Sequence, residues 1–171
     1  MRRKLSDETN PSDWFYLADD RLHAADLLWK TGGLTPSGIE LLQAAAERYL
    51  KGYLIAKGWH LIKTHDLEEL VAKAASFDPS FSRFVRFAEE LTEDFFAQHY
   101  PGQDWSQVGL NYETLRQQAG ELVLLIQACR NSFRHRLPWR SKRTKAKTEA
   151  FPGPGGWLKW NARLSVLNVR S

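Results

Sequence analysis

The residues best suited to chemistry in this chain are Arg130, Asn131 and His135, which lie within one hexapeptide. An imidazole can change its charge near neutral pH, and a guanidinium offers several donors that match phosphate oxygens. Five residues on a helix correspond to about 500°, so Arg130 and His135 lie about 140° apart and do not share a face. The alternative is electrostatic, because basic side chains near the end of a helix are favoured by the helix dipole.

A second candidate group consists of His65 and Asp66, with Glu47 on the preceding helix. This group is a candidate ligand or dimer-cleft site. In the structural alternative, Asp66 caps the free N–H groups at the start of a helix. Glu47 precedes Lys51 by four residues, a spacing that also favours a solvated ion pair on the outer helix surface. Both interpretations of this group remain open from the sequence.

The third candidate is a basic stretch near the C-terminus. Residues 136–171 carry 9 basic and 1 acidic side chains, a net charge of +8, whereas residues 1–135 carry 15 and 19, a net charge of −4. Basic stretches with neighbouring tryptophans bind nucleic acid by neutralising phosphates and by stacking on bases. The alternative is a disordered, solubilising extension. The candidate nucleic-acid-binding residues are Arg140, Lys142, Arg143, Lys145 and Lys147.

The composition predicts neither a metal site nor a cofactor. Cys129 is the single cysteine, and its place on an apolar helical stripe predicts a buried free thiol in a reducing compartment. The basic residues 1–4 are not followed by an apolar run, so they do not resemble a signal peptide. No segment approaches the length and hydrophobicity of a membrane span. We therefore expect a cytoplasmic protein without a membrane partner.

Five amphipathic segments must position these side chains. Their apolar residues recur at helical spacing and predict helices over residues 11–30, 37–57, 66–76, 79–98 and 111–135. The first stripe comprises Trp14, Ala18, Leu22, Ala25 and Trp29, and the last comprises Leu115, Ala119, Leu122, Ile126, Cys129 and Phe133. Gly58 is predicted to end the second helix. Strand signals are nearly absent, which predicts an all-α, antiparallel up-down bundle of four to five helices.

The chain is predicted to have two parts. Pro138 closes the last helical pattern, and a Pro/Gly cluster over residues 151–156 interrupts the remainder. We predict a helical bundle over residues 1–137 and a basic, Pro/Gly-interrupted C-terminal extension over residues 138–171.

The stretch from Leu42 to Leu70 carries the most specific pattern of the chain. It reads AAExxLKxxLxxKG and then THDLxxL, and it follows a first helix of the form WxxxAxxxLxxA that begins at Trp14. A Leu-Thr pair at residues 91–92, an aromatic residue at Phe95 and Tyr-Pro-Gly at residues 100–102 complete the series. Together these stretches resemble the HEPN domain family of small bacterial and archaeal proteins, over roughly residues 13–137. His99 and Phe95 depart from the Arg and Tyr that the family pattern carries there.

This resemblance implies a homodimer that forms through the first and last helices. The family is often encoded beside a small nucleotidyltransferase, which implies such a protein partner, a toxin–antitoxin-like module and binding of nucleotide or RNA.

In family members that cleave RNA, an Arg, often followed by Asn, precedes a His in the last helix, and Arg130, Asn131 and His135 fit this pattern. The resemblance then implies a metal-independent endoribonuclease in which the RNA 2′-hydroxyl attacks the adjacent phosphate. His135 would act as general acid or base, Arg130 would stabilise phosphoryl charge, and Asn131 would orient the phosphate or the imidazole ring. A two-fold dimer would assemble both faces into one composite site. The remaining alternative is a non-catalytic interaction module.

Overall fold

The computed structural model describes residues 7–32, 36–99 and 111–134, which form helices joined by turns, with no strand among them. The helices are α1 (Pro11–Gly32), α2 (Pro36–Ala56), α3 (Leu67–Phe77), a 3₁₀ helix (Pro79–Phe84), α4 (Val85–His99) and α5 (Tyr112–Arg134). The predicted all-α helical bundle is confirmed. Residues 138–171 lie outside this description, so the division of the chain at residue 137 stays a prediction.

Long side chains bridge the first and last helices at three levels, one of which is the pair of hydrogen bonds from Arg116 to Asp26. Phe15, near the start of α1, meets Arg130, near the end of α5, and Trp29 stacks on Tyr112 with ring centroids 4.7 Å apart. Rising residue numbers on α1 therefore meet falling numbers on α5, and the two helices are antiparallel. This contact is the arrangement that positions Arg130.

Helix α2 is the centre of the bundle and contacts α1, α3, α4 and α5. It is apolar around most of its circumference, as expected of a helix buried on several sides. It runs antiparallel to α1, because Phe15 lies against Gly52 and Asp19 bonds to Tyr49. The core around it is built from large apolar residues, including Ile39, Leu42, Leu50, Leu54, Leu67, Leu70, Phe81, Phe87, Leu91, Leu115, Leu122 and Ile126.

Trp14 and Cys129 are among the predicted core positions that differ in the structure. Phe15 is buried on α1, whereas Trp14 is only half-buried and donates its indole N–H to the carbonyl of Glu8 at 2.7 Å. Cys129 was expected in the core, but it is half-buried, with its Sγ 3.6 Å from Asp78 Oδ2. In both cases the residue lies at the edge of the apolar stripe, and the spacing along one helix does not show whether a neighbouring helix covers that edge.

The predicted fourth helix begins as a 3₁₀ helix and becomes α-helical only at Val85. The Asp78 side chain accepts a hydrogen bond from the Ser80 N–H, which caps this first segment. A 3₁₀ helix has three residues per turn, so Phe81 and Phe84 lie above one another, and both are buried. The change of helix type therefore directs two aromatic rings into the core.

The turn after α2 agrees with the sequence. Gly58 has φ +87°, a left-handed conformation that glycine adopts at little cost, and its N–H bonds to the Ile55 carbonyl. None of the described helices combines the length and hydrophobicity that crossing a membrane requires.

Candidate functional site

Arg130 is exposed at the C-terminal end of α5, and its guanidinium lies over the ring of Phe15 on α1, 4.3 Å from the centroid. Phe15 is in turn seated on α2 at Gly52, where an added Cβ would come within 2.8 Å of the ring. Because a glycine in a helix interior is costly, its presence here is explained by this close approach. The stack of Gly52, Phe15 and Arg130 fixes the position of the guanidinium.

A carboxylate and a phenol lie beside this stack. The Tyr49 hydroxyl donates a hydrogen bond to Asp19 Oδ1 across the α1–α2 contact. Burial raises the pKa of Tyr49, and the charge of Asp19 raises it further. Partial burial raises the pKa of the Asp19 carboxyl, an effect that the hydrogen bond from Tyr49 and the positive charge of Arg130 partly offset. We call Phe15, Asp19, Tyr49 and Arg130 the α1–α5 patch.

The donors of Arg130 are unused within the described part of the chain. No hydrogen bond or ion pair joins its guanidinium to any described residue. Its contact with them is the stacking on the Phe15 ring. Arg116, about four turns earlier on the same helix, differs, because it forms two hydrogen bonds to Asp26, of 2.6 and 2.9 Å. These bonds raise the pKa of Arg116. Arg116 thus holds α5 against α1, whereas Arg130 keeps its five N–H groups available for a ligand.

The candidate group around Glu47 forms a buried charged network on another side of α2. Lys51 donates to Glu47 Oε1 and to the Thr64 carbonyl, both at 2.6 Å, and the Nδ1 atom of His65 lies 3.0 Å from Glu47 Oε2. Gln43 donates to the His65 carbonyl at 3.0 Å. We call Gln43, Glu47, Lys51, Thr64 and His65 the α2 network.

The expectation that Glu47 and Lys51 form a solvated surface pair is wrong. Their exposed fractions are only 6% and 4%, because the segment that follows α2 covers them. A buried ion pair needs further hydrogen bonds to offset its lost hydration, and Thr64 and His65 supply these bonds. The network therefore ties that segment to α2.

Asp66 caps a helix, which is the structural alternative that the sequence offered for this residue. Its side chain accepts hydrogen bonds from the N–H groups of Glu68 and Glu69, at 2.8 and 3.1 Å, and so caps α3. The structure brings Glu47 and His65 together but gives Asp66 a separate task at the helix start. The His65 side chain remains 73% exposed.

The α2 network and the α1–α5 patch face different directions. Glu47 and Tyr49 are two residues apart on α2, which corresponds to a rotation of about 200°. Glu47 therefore points away from the side of α2 on which Tyr49 reaches Asp19. Glu47 and Arg130 therefore belong to separate regions of one subunit, and the predicted place of Glu47 at a ligand or dimer cleft stays a prediction.

Several predicted site residues lie outside what the structure describes. Asn131 belongs to α5, but its side chain is not among the described ones, and His135 lies beyond the described range. The same holds for the tail residues Arg140, Lys142, Arg143, Lys145 and Lys147. The pairing of Arg130 with His135 and the role of the tail stay predictions. Among the described residues, no group of His, Cys, Asp and Glu could hold a metal ion.

Sequence patterns missed the companions of Arg130. Tyr49 follows the apolar periodicity of α2, and Asp19 is one of two successive aspartates, so neither carries a distinguishing signal. Gly52 was the available clue, because a glycine inside an Ala-rich helix often marks a close contact. Its partner Phe15 could not be identified without the alignment of α1 against α2.

An open groove of about 390 Å³ lies along α3 and the segment before it. Trp59, Ile62, Leu70 and Lys73 are among the residues that line it. It shares no lining residue with the α1–α5 patch, so the groove and the Arg130 site are separate features.

The family model for the HEPN domain matches residues 11–129, from the start of α1 to near the end of α5. The chain belongs to the HEPN domain family. No curated protein and no solved structure matches the chain. Membership of the HEPN family suggests a function related to nucleotides or RNA. The match ends one residue before Arg130, so the hexapeptide of Arg130 and His135 lies just beyond the matched part of this HEPN protein.

Proposed function

We propose that this HEPN protein binds RNA or a nucleotide through a phosphate held by Arg130, and that it acts with a nucleotidyltransferase partner in a toxin–antitoxin-like module. The observation that carries the proposal is the exposed Arg130 guanidinium, stacked on Phe15, with its N–H groups unused by the described residues. A planar guanidinium with free donors matches the oxygens of a phosphate. Stacking on a ring seated against Gly52 holds the guanidinium ready before a ligand arrives.

Binding to a short single-stranded RNA tests the role of Arg130. Arg130→Ala in the full-length chain is expected to weaken binding about tenfold, or roughly 1.4 kcal/mol. One lost phosphate contact should also reduce the slope of log affinity against log salt by about 0.7. Fluorescence anisotropy titrations at several salt concentrations measure both effects.

Arg83 provides a matched control, because it is also exposed and its guanidinium lies 4.8 Å from the ring centroid of Phe84. Arg83→Ala removes the same charge and the same kind of stacking from the 3₁₀ helix, and it should leave binding nearly unchanged. If both variants bind RNA equally, Arg130 is not the phosphate contact.

The nucleotidyltransferase part of the proposal draws on the family resemblance. It predicts that the two proteins co-purify when they are expressed together and elute as one species at micromolar concentration. Separate elution of the two proteins would argue against this partnership.

A homodimer through α1 and α5 is part of the proposal. Each of these helices carries an exposed leucine, Leu27 at 48% and Leu124 at 67%, and exposed apolar side chains favour association. Leu124→Glu should convert a dimer of twice 19.7 kDa into a monomer in light scattering. Ile62→Glu, at an exposed position after α2, serves as the control. A wild-type chain that is monomeric at high concentration would exclude the dimer.

The catalytic alternative is a metal-independent endoribonuclease that uses Arg130 and His135. The unused donors of Arg130 favour it, because they could equally stabilise charge on a reacting phosphate. In this case the wild-type chain should cleave RNA in excess EDTA and leave cyclic phosphate ends, and His135→Ala should abolish cleavage and growth arrest. Equal cleavage or equal toxicity in wild type and variant would eliminate this alternative.

A third set of variants tests whether the tail contacts RNA. Replacing Arg140, Lys142, Arg143, Lys145 and Lys147 by Gln should weaken RNA binding and flatten its salt dependence if the tail contacts phosphates. An unchanged slope would exclude the tail. A chain that binds its protein partner but neither RNA nor nucleotide would be a pure interaction module.

A further inference from the structure

Asp19 places a carboxylate next to the proposed phosphate contact. It follows Phe15 by four residues on α1, so the two side chains lie on the same face of the helix. It is exposed, and the charge of Arg130 acts on it. Its Oδ1 accepts the hydroxyl of Tyr49, whereas no described residue donates a hydrogen bond to Oδ2.

The fold requires an acceptor at this position, but it does not require a charge. Tyr49 is buried, so its hydroxyl needs a partner, which the amide oxygen of an asparagine would also provide. Partial burial disfavours the ionised carboxyl, and within the described residues Asp19 forms no ion pair with Arg130. A negative charge here also repels a phosphate bound to the guanidinium. The charge is therefore unfavourable both for the fold and for binding a phosphate alone.

A ribonucleotide offers a reason for the charge. It carries hydroxyl donors on the sugar within a few bonds of its phosphates, and a carboxylate is a strong acceptor for a ribose hydroxyl. The 2′-hydroxyl is the group that distinguishes RNA from DNA. A deoxyribonucleotide would meet the repulsion of Asp19 without the compensating hydrogen bond.

We propose that Asp19 Oδ2 accepts a hydrogen bond from a ribose hydroxyl of the ligand whose phosphate binds Arg130, so that Asp19 makes the α1–α5 patch selective for ribonucleotides over deoxyribonucleotides. This inference rests on the proposed function. Tyr49 acts as a positioning residue, because its hydroxyl holds Oδ1 and thereby turns Oδ2 toward the ligand. A site that hydrogen-bonds a hydroxyl discriminates strongly against the analogue that lacks it.

The test compares RNA and DNA oligonucleotides of the same sequence. The wild-type full-length chain should bind the RNA more tightly. Asp19→Asn keeps an acceptor for Tyr49 but removes the charge, so it should strengthen DNA binding several-fold and lower the RNA/DNA affinity ratio at least threefold. Asp20→Asn removes the same charge from the neighbouring exposed residue and should leave the ratio unchanged. Thermal unfolding of each variant checks that the fold is retained.

Tyr49→Phe provides a second variant, which keeps the charge of Asp19 but releases its Oδ1. It should also lower the RNA/DNA ratio. A wild-type chain without preference for RNA would overturn the inference, and so would an Asp19→Asn variant that strengthens binding of both oligonucleotides equally. If Arg130→Ala leaves RNA binding intact, the proposed function itself fails. If Arg130→Ala weakens binding but Asp19→Asn leaves the ratio unchanged, only the role of Asp19 fails.

Discussion

The α2 network and the α1–α5 patch use similar side chains in opposite ways. In the network, the charges of Glu47 and Lys51 are buried, and each is matched by a partner within hydrogen-bond distance. In the patch, the charges of Arg130 and Asp19 are exposed, and Arg130 uses no hydrogen bond to a described residue. Matched, buried charges fix one arrangement of the chain, whereas exposed, unmatched charges can exchange water for a ligand. The difference predicts that substitutions in the network change stability and that substitutions in the patch change binding.

The largest effect should follow from separating the buried ion pair. Lys51→Met leaves Glu47 buried with only the exposed His65 as a partner, and it should lower the free energy of unfolding by about 3–5 kcal/mol. The double variant Glu47→Leu/Lys51→Met removes both charges and should recover most of this loss. Urea unfolding measures both. As a control, Lys73→Met changes an exposed lysine and should cost little. A single-variant loss no greater than that of the control would show that the pair is not effectively buried.

A smaller effect is expected where the patch meets the core. Gly52→Ala places a Cβ 2.8 Å from the Phe15 ring, and such overpacking costs about 1–3 kcal/mol. It should also weaken RNA binding, because Arg130 depends on the position of that ring. At Gly120 of α5 the nearest atom, on Arg116, would be 3.4 Å away, so Gly120→Ala should instead gain up to about 1 kcal/mol. Equal effects of the two substitutions on stability would contradict the stacked arrangement.

Acid titration should distinguish Asp78 from Asp19, because the two carboxyls change the free energy of unfolding in opposite directions as the pH falls. The hydrogen bond from the Ser80 N–H lowers the pKa of Asp78 below 3.8, so its stabilisation is present above that pH and is lost as pH falls through the native pKa. Burial raises the pKa of Asp19, so its contribution to stability declines as pH rises from below 3.8 through the raised native pKa. Asp78→Asn should therefore flatten the acid-induced loss of stability, and Asp19→Asn should steepen it. The measurement is the denaturant midpoint of each variant across this pH range. If both substitutions changed the slope of the midpoint against pH in the same direction, the opposite pKa shifts of the two carboxyls would be contradicted.

The smallest change in stability is expected at the residue with the largest expected effect on binding. Arg130→Ala removes an exposed cation–π contact, worth about 0.5–1 kcal/mol. Its urea midpoint should therefore stay close to that of the wild type, in contrast to Lys51→Met. A loss of several kcal/mol would mean that Arg130 holds the bundle together, and its proposed role in phosphate binding would need another explanation.

The sequence predicted the helices and the family well, because these depend on local spacing. Five amphipathic segments, the glycine turn at Gly58 and the cap at Asp66 follow from residues near each other in the chain. The burial of Glu47 and Lys51 could not be predicted in this way. Opposite charges four residues apart are typical of an exposed helix face. This face becomes internal because the segment up to Thr64 and His65 folds back over α2, and because Trp14 of α1 lies against Lys51.

The α1–α5 patch shows the same limit for the candidate site. Arg130 could be selected from its residue type and its place in the last helix. Phe15 and Asp19 belong to a helix more than 100 residues earlier in the chain, and no local pattern connects them to Arg130. Their role depends on which turn of α1 faces which turn of α2, and this alignment is determined by Phe15 against Gly52.

The first turns of α1 contact both charged regions through adjacent residues. The Lys51 ammonium lies 5.6 Å from the ring centroid of Trp14, and the Arg130 guanidinium lies over Phe15. Fraying of this end of the helix, or a proteolytic cut within it, would therefore uncover the buried lysine and release the guanidinium in a single event. The N-terminal turns of α1 thus support both charged regions, and disrupting them should reduce the stability of the fold and the binding of the ligand together.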